Sequence, residues 1–440
     1  MNGLRLLKRL WHALPFSDHT RWRVTALLLE PVLPFIKGSV VYNAYLREKE
    51  WQNKRIRPFH GDPLPALPLQ DKADIFFWGI IDWRFRIQRP QHLAIGFAKR
   101  GHRVFYISTS FVNTGRPGFE LERMDQGGCL YNVRFHLKGR PLVYAAPPDR
   151  EDSRRLKASV ASLLEWTESR KIISIVQHPY WHELARKVPD SRLIYDCMDH
   201  HDGFGNTGEG IAALELKLLK DADAVVTTSQ GLWDFAAAHN PNVALVRNAA
   251  EYDFFAAKPG AVFRDDRGRR VLGYYGAIAE WLDVELLAET ARHFPDCLVL
   301  LVGADECGAR QYLAGLPNVM FTGEVKYTEL PYYLYGMDLC LLPFRVTPLT
   351  LATNPVKVYE YLSAGKSVVS ASLPELDQFG SLVMTATTHE QFIQLIDDAL
   401  INLSDDKQLR RQNFASQNTW QHRLDAFDSL IRQLNEAPRT

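Results

Sequence analysis

Lys357 and Glu360 stand three residues apart in the segment Asn354-Pro355-Val356-Lys357-Val358-Tyr359-Glu360-Tyr361-Leu362-Ser363-Ala364-Gly365. On a helix that spacing puts an ammonium and a carboxylate on one face. Asn354 is a good N-cap, Pro355 suits the first helical position, and Gly365 suits a left-handed stop before a strand over 367–372. Unpaired N–H groups at such a helix start, with Lys357 in the first turn, favour a phosphate. Glu360 is then placed to accept both hydroxyls of a ribose. The segment reads as a docking site for a nucleotide diphosphate; the alternative is a surface helix whose Lys and Glu are merely solvated.

Other residues with chemistry in reach lie just past strand candidates. Gly276, in Tyr274-Tyr275-Gly276-Ala277-Ile278, would let backbone approach a phosphate closely. Arg345 is a second candidate cation. Asp82, Arg86 and Arg89 leave the carboxyl end of the leading strand, where open α/β sheets bind ligands, and are candidates to contact an acceptor or a leaving group; the alternative for Arg89 is simply to start a helix. Asp199, in Asp196-Cys197-Met198-Asp199-His200-His201-Asp202, is a candidate general base or acceptor-orienting carboxylate, with His200 and Asp202 as competitors. Residues 203–208 formally spell G-x-G-x-x-G, but polar residues separate them from the strand and several strands precede, so a dinucleotide fingerprint is not expected there. His178 and His182 form H-x-x-x-H, yet Pro179 and the want of a third ligand argue against a metal.

Two series of strands are needed to hold these groups. The first runs over 73–80, 102–108, 172–177, 192–198, 224–229 and 243–247, with a helix over 90–100 stopped by Gly101. The second runs over 271–275, 298–302, 319–322, 339–344, 367–372 and 381–385, with a helix capped by Asp283. Short apolar strands alternating with helices are the pattern of parallel α/β sheets, and two such series predict two doubly wound halves with a cleft between them.

The first sixty residues differ from the rest. They carry eleven Lys or Arg against four Asp or Glu, in a chain whose net charge is +1. Leu4, Leu7, Trp11 and Leu14 recur at helical spacing among Arg5, Lys8 and Arg9, which predicts a basic amphipathic helix lying on a surface, anionic lipid or protein. The apolar run over 24–46 is broken by Glu30, Pro31, Pro34 and Lys37, too often for a membrane span. Prolines at 58, 63, 65 and 68 suggest a linker. Five widely spaced cysteines in 440 residues suit a reducing compartment. The near-neutral net charge gives no reason to expect nucleic acid.

The donor-helix segment resembles that of GT-B glycosyltransferases of the family-4 type, whose pattern is close to P-x-K-x-x-E-Y-L-A-A-G-K-P-V-V. Trp83, Arg86, Gln88, Arg89, Pro90 and His92 resemble an opening seen in a subset of them. The resemblance covers about residues 73–435. It implies an α/β GT-B fold of two Rossmann-like domains, here over 71–255 and 256–415, with a helical extension and linker over 1–70 and a terminal helix over 416–440 crossing back to the first domain. It implies that Lys357 neutralises the diphosphate of a nucleotide sugar and Glu360 holds its ribose, with Gly276, Arg345 and Asn354 completing the donor site. His178 would face the donor sugar, bonding a hydroxyl or moving a proton; Asp199 and Asp82 join it as catalytic candidates, and Arg86, Arg89 and His200 as acceptor contacts. Neither cofactor nor metal is implied beyond the nucleotide sugar itself. The acceptor would be a lipid-linked or growing polysaccharide at the cytoplasmic membrane face, reached by peripheral contact through residues 1–60. One departure stands out: the family's second Glu, eight residues before the ribose carboxylate, is Ala352 here. A nucleotide-sugar epimerase of the same fold and a non-catalytic nucleotide-sugar or lipid-binding scaffold are the alternatives.

Overall fold

The computed structural model describes residues 72–139, 143–199, 208–401 and 405–436, with Leu67 and Pro141. The expected N-terminal helix, nearly all of the proline-rich linker, and His200 with most of the glycine-rich loop lie outside the described residues.

Strands β1 (Asp74–Trp78), β2 (Val104–Ile107), β3 (Val112–Asn113), β4 (Phe119–Arg123), β5 (Leu130–Leu137), β6 (Ile172–Val176), β7 (Ser191–Cys197), β8 (Ala224–Thr227) and β9 (Val243–Leu245) form one sheet. Its order is β3-β5-β2-β1-β6-β7-β8-β9, with β4 antiparallel on β5 and every other pairing parallel. Strands β10 (Arg270–Tyr275), β11 (Cys297–Val302), β12 (Val319–Gly323), β13 (Leu339–Leu342), β14 (Val368–Ala371) and β15 (Met384–Ala386) form the second, wholly parallel sheet, ordered β12-β11-β10-β13-β14-β15. The two doubly wound halves expected from the sequence are present.

Each sheet is buried on both faces, as parallel sheets must be. In β1, Phe76 and Trp78 pack with Phe105, Val133 and Trp181, while Ile75 and Phe77 turn to Leu93, Phe97 and Phe427. In β13, Cys340 and Leu342 face one side and Leu339 and Leu341 the other. The period-two alternation of a strand therefore feeds two separate cores per half.

Three elements depart from expectation. The β3 to β5 region was not legible as strands, because β4, Phe-Glu-Leu-Glu-Arg, alternates charge with half-buried apolar residues at a sheet margin. The final strand starts at Met384 and not at Ser381, since Pro374–Leu382 forms 3-10 turns. Strand β9 stops at Leu245, two residues short.

The terminal helix, Trp420–Glu436, returns to the first half. Its Trp420, Leu424, Phe427, Ile431 and Leu434 join the core behind β1. The approach is close enough that a Cβ at Gly96, in the Arg89–Lys99 helix, would lie 2.1 Å from Leu424 Cδ1. Burying a side chain of this size contributes about 1.5–3 kcal/mol. The more exposed ion pairs of Arg100 with Asp425 and Asp428 add at most about 1 kcal/mol each, so apolar burial holds this helix. The chain passes between halves twice, after β9 and just before Trp420, and the two passages meet where Ala250 bridges to Thr419.

Candidate functional site

In each sheet the strand order reverses at one point, and ligands of open α/β sheets bind in the crevice beyond it. In the second sheet that point lies between β10 and β13. Gly276 follows β10 and Arg345 follows β13 closely. In the first sheet it lies between β1 and β6, so Asp82 and Arg86 follow one strand and His178 the other.

Gly276 has φ +133°, a conformation an L side chain rarely adopts. A Cβ there would sit 2.1 Å from Cε and 2.8 Å from Nζ of Lys357. The Lys357 side chain thus lies across this glycine, its ammonium 5.7 Å from the Tyr274 ring and 5.8 Å from that of Phe344. Among the described residues it forms no ion pair. Burial, the largest cause, and the Arg86 guanidinium pull its pKa below the ordinary lysine value, while Glu360 opposes them. A half-buried cation with no ion pair among the described residues, repelled by a second cation, makes this a candidate anion site.

Glu360 is buried and accepts a hydrogen bond from the Tyr275 hydroxyl at 2.8 Å. Burial raises its carboxyl to about 7, against the Tyr275 hydrogen bond and the Lys357 charge. The helix carrying both residues runs Val356–Ser363, and Gly365 beyond it has φ +72°, the left-handed stop expected. Its start is shifted: Pro355, φ −76° and ψ 110°, is the N-cap and makes no side-chain capping bond. Asn354 therefore does not cap this helix. Its Nδ2 donates to Glu375 Oε2 at 2.8 Å and its Oδ1 accepts the Asn248 N–H at 3.0 Å, so a donor-site candidate is held in the seam between the halves. Arg345 is exposed; burial raises the Cys307 thiol above its ordinary value, and the Arg345 guanidinium opposes that rise only in part.

The first-half candidates are bound up differently. Arg89, expected at an acceptor, is buried: Nη2 donates to Asp196 Oδ1 at 2.8 Å, Nε to both carboxylate oxygens, and Nη1 to the Val246 carbonyl at 3.0 Å. The guanidinium ties the helix start to the tip of β7 and to the first passage between halves. Asp82 accepts the Arg84 N–H at 2.8 Å and the Ser108 hydroxyl at 3.1 Å, shaping its own loop. His178 is buried, caps the turn Pro179–Trp181 through Nδ1, and meets the edge of the Tyr144 ring. Asp199 is raised to about 6 by burial first and by the neighbouring Asp196 second, a value that suits proton transfer near neutrality. Arg86 reaches across the cleft, donating to Glu324 Oε1 at 2.8 Å and to Glu306 Oε1 at 3.1 Å, both from the second half.

Several residues outside the sequence candidates belong to this arrangement: Glu306, Glu324, Arg247, Asn248 and Glu375. Glu306, Glu324 and Glu375 lie just past strands, the same signal that marked Gly276 and Arg345. Among the described residues no His, Cys, Asp and Glu cluster is built to hold a metal, and no helix is long and apolar enough to cross a membrane.

Residues 269–402 match the family model Glycosyl transferases group 1. A Bacillus subtilis protein named as a teichuronic acid biosynthesis glycosyltransferase, TuaH, is 33% identical over 202 residues, 42% of this chain and 51% of that one; the chain thus spans about half the length of that relative. Among solved structures, sucrose-phosphate synthase from Thermosynechococcus elongatus superposes with a TM-score of 0.64 at 13% identity, covering 83% of this chain and all of that one. A glycosyltransferase from Rickettsia africae gives 0.60 at 12%, over 84% of this chain and 100% of that one. The catalytic domain of starch synthase IV from Arabidopsis thaliana gives 0.59 at 11%, over 82% and 99%. The chain has the GT-B fold, and its second half is a domain of the Glycosyl transferases group 1 family.

Proposed function

We propose that this protein is a glycosyltransferase that moves a sugar from a nucleotide diphosphate donor to a lipid-linked or polysaccharide acceptor in cell-surface polysaccharide synthesis. The observation that carries this reading is Lys357, lying across Gly276 at the strand-order reversal of the second sheet and forming no ion pair among the described residues. In the proposed reaction the diphosphate rests against Lys357 and the amides at the start of the Val356–Ser363 helix. Charge growing on the leaving phosphate meets preorganised donors, the effect that usually supplies most of a rate enhancement. Glu360 accepts ribose hydroxyls through Oε1, the oxygen that Tyr275 does not bond. Asp199, raised towards neutrality, takes the proton of the acceptor hydroxyl, with His178 facing the sugar. Arg86 meets the acceptor or the leaving phosphate from the opposite wall. The basic first sixty residues support work at the inner face of the cytoplasmic membrane, and the name of the Bacillus relative supports a polysaccharide acceptor.

Thermal unfolding of the whole chain and of Lys357→Ala, each with UDP, GDP, dTDP, ADP and NAD, tests the donor site. Ligand at a hundred times its dissociation constant adds about 2.7 kcal/mol of stability. One nucleoside diphosphate should stabilise the native chain and fail to stabilise Lys357→Ala. A response to NAD alone, or an equal response in the variant, refutes the site.

A further inference from the structure

We infer that Glu375 is a positioning residue that fixes the pivot between the two halves and, through Asn354, the pose of the Lys357 and Glu360 helix against the first half. Glu375 follows β14, in the second half, and is 3% exposed. Its Oε1 accepts the backbone N–H of Gln230 at 2.7 Å, the first residue of the Gln230–Ala237 helix of the first half. Its Oε2 accepts Arg247 Nε at 2.8 Å, from the passage after β9, and Asn354 Nδ2 at 2.8 Å. Asn354 then closes the circuit: its side-chain oxygen takes the Asn248 N–H, and its carbonyl takes Asn248 Nδ2 at 2.7 Å. One carboxylate so gathers a helix of the first half, the passage between halves and the residue two before the donor helix.

The place of this circuit is what makes it a pivot. Asn248 O also accepts Arg423, and Ala250 bridges to Thr419, so both passages of the chain lie beside it. Two bodies joined by adjacent passages turn about them, and contacts at the passages persist while contacts at the cleft mouth part. Arg86 with Glu306 and Glu324 occupies the mouth, where the side chains are a quarter to two-fifths exposed. Removing the buried acceptor leaves Arg247, Asn354 and the Gln230 N–H without their partner, a far larger disturbance than losing a screened pair.

This inference rests on the transfer reading only for its activity arm. Full-length wild type, Glu375→Ala and Gln230→Pro are compared. Proline is tolerated at a first helical position, and Ser229 before it is already extended, so Gln230→Pro keeps the helix start while deleting the cross-half bond and pressing its ring on the Glu375 carboxylate. Hydrogen exchange in the peptide 229–237 should quicken in both variants. Affinity for whichever of UDP, GDP, dTDP or ADP stabilises wild type should stay within about threefold, because that site lies within the second half. Release of nucleoside diphosphate from the matching glucose nucleotide with cell membranes should fall, by about ten- to a hundredfold in Glu375→Ala, as expected for misplacement of a reacting centre by about 1 Å, and less in Gln230→Pro. Unchanged exchange in both variants overturns the inference, as does a loss of diphosphate affinity parallel to the loss of release. If wild type releases nothing, the transfer reading fails alone, and exchange with affinity still decides the role of Glu375. Should Glu375→Ala not fold, Gln230→Pro carries the test.

Discussion

The two halves present their polar strand-end residues in opposite ways. In the second, among the described residues, Lys357 lies over Gly276 without an ion-pair partner, and Glu360 accepts a hydrogen bond at one oxygen, from Tyr275. In the first, Arg89 at a helix start and Asp82 and His178 just past strands are bonded to Asp196, Ser108 and Tyr180 of their own half. Charged and polar groups near the same crevice are thus left without an ion pair among the described residues in one half and are tied into their own half in the other. What separates them is whether a buried counter-group exists elsewhere in the chain. A buried charge without one is tolerated only at a site that will be filled.

The sharpest way to break this contrast is Arg89→Ala. It strands the Asp196 carboxylate, which is wholly buried, and should destabilise the chain by about 3–5 kcal/mol. Lys357→Ala should leave stability nearly unchanged or higher, since its ammonium is held below its ordinary pKa by burial and by Arg86. Paired denaturant titrations would settle the matter: equal losses in both variants would erase the distinction between a structural and a ligand-directed cation.

Glu360 gives the next effect, through pH. Folding raises its carboxyl from 4.5 to about 7, chiefly by burial. On raising the pH the unfolded chain loses this proton first, so stability from this group is full below about 4.5, declines between 4.5 and 7, and stays low above. The decline amounts to roughly 3 kcal/mol at most. Glu360→Gln should flatten that part of the stability profile, and a variant that keeps the wild-type slope would remove Glu360 as its source.

A smaller loss of stability than those at Arg89 and Glu360 is expected from Gly276→Ala. Positive φ and the clash with Lys357 together cost roughly 1–3 kcal/mol, yet the methyl must push the lysine aside. Loss of the diphosphate-induced rise in unfolding temperature, larger than the change in the unliganded midpoint, is the outcome that ties glycine to ligand. A retained rise would mean that the lysine finds the phosphate from another pose.

Local pattern alone settled the class of fold and the helix that carries Lys357 and Glu360. Alternation of short apolar runs with helical stretches demands parallel sheets, and Lys357, Glu360 and Gly365 lie within twelve residues, where helix geometry alone relates them. Asp283 as a cap and Gly101 as a stop were legible for the same reason. Tertiary structure decided the rest. Arg89 meets Asp196 over 107 positions, Arg86 meets Glu306 over 220, and Asn354 belongs to Glu375 and Asn248 and not to the helix it precedes. Local pattern tells which groups stand at a strand tip; only the packed chain tells which of them have already found a partner, because hydrogen bonds and ion pairs form between neighbours in space whatever their distance along the sequence.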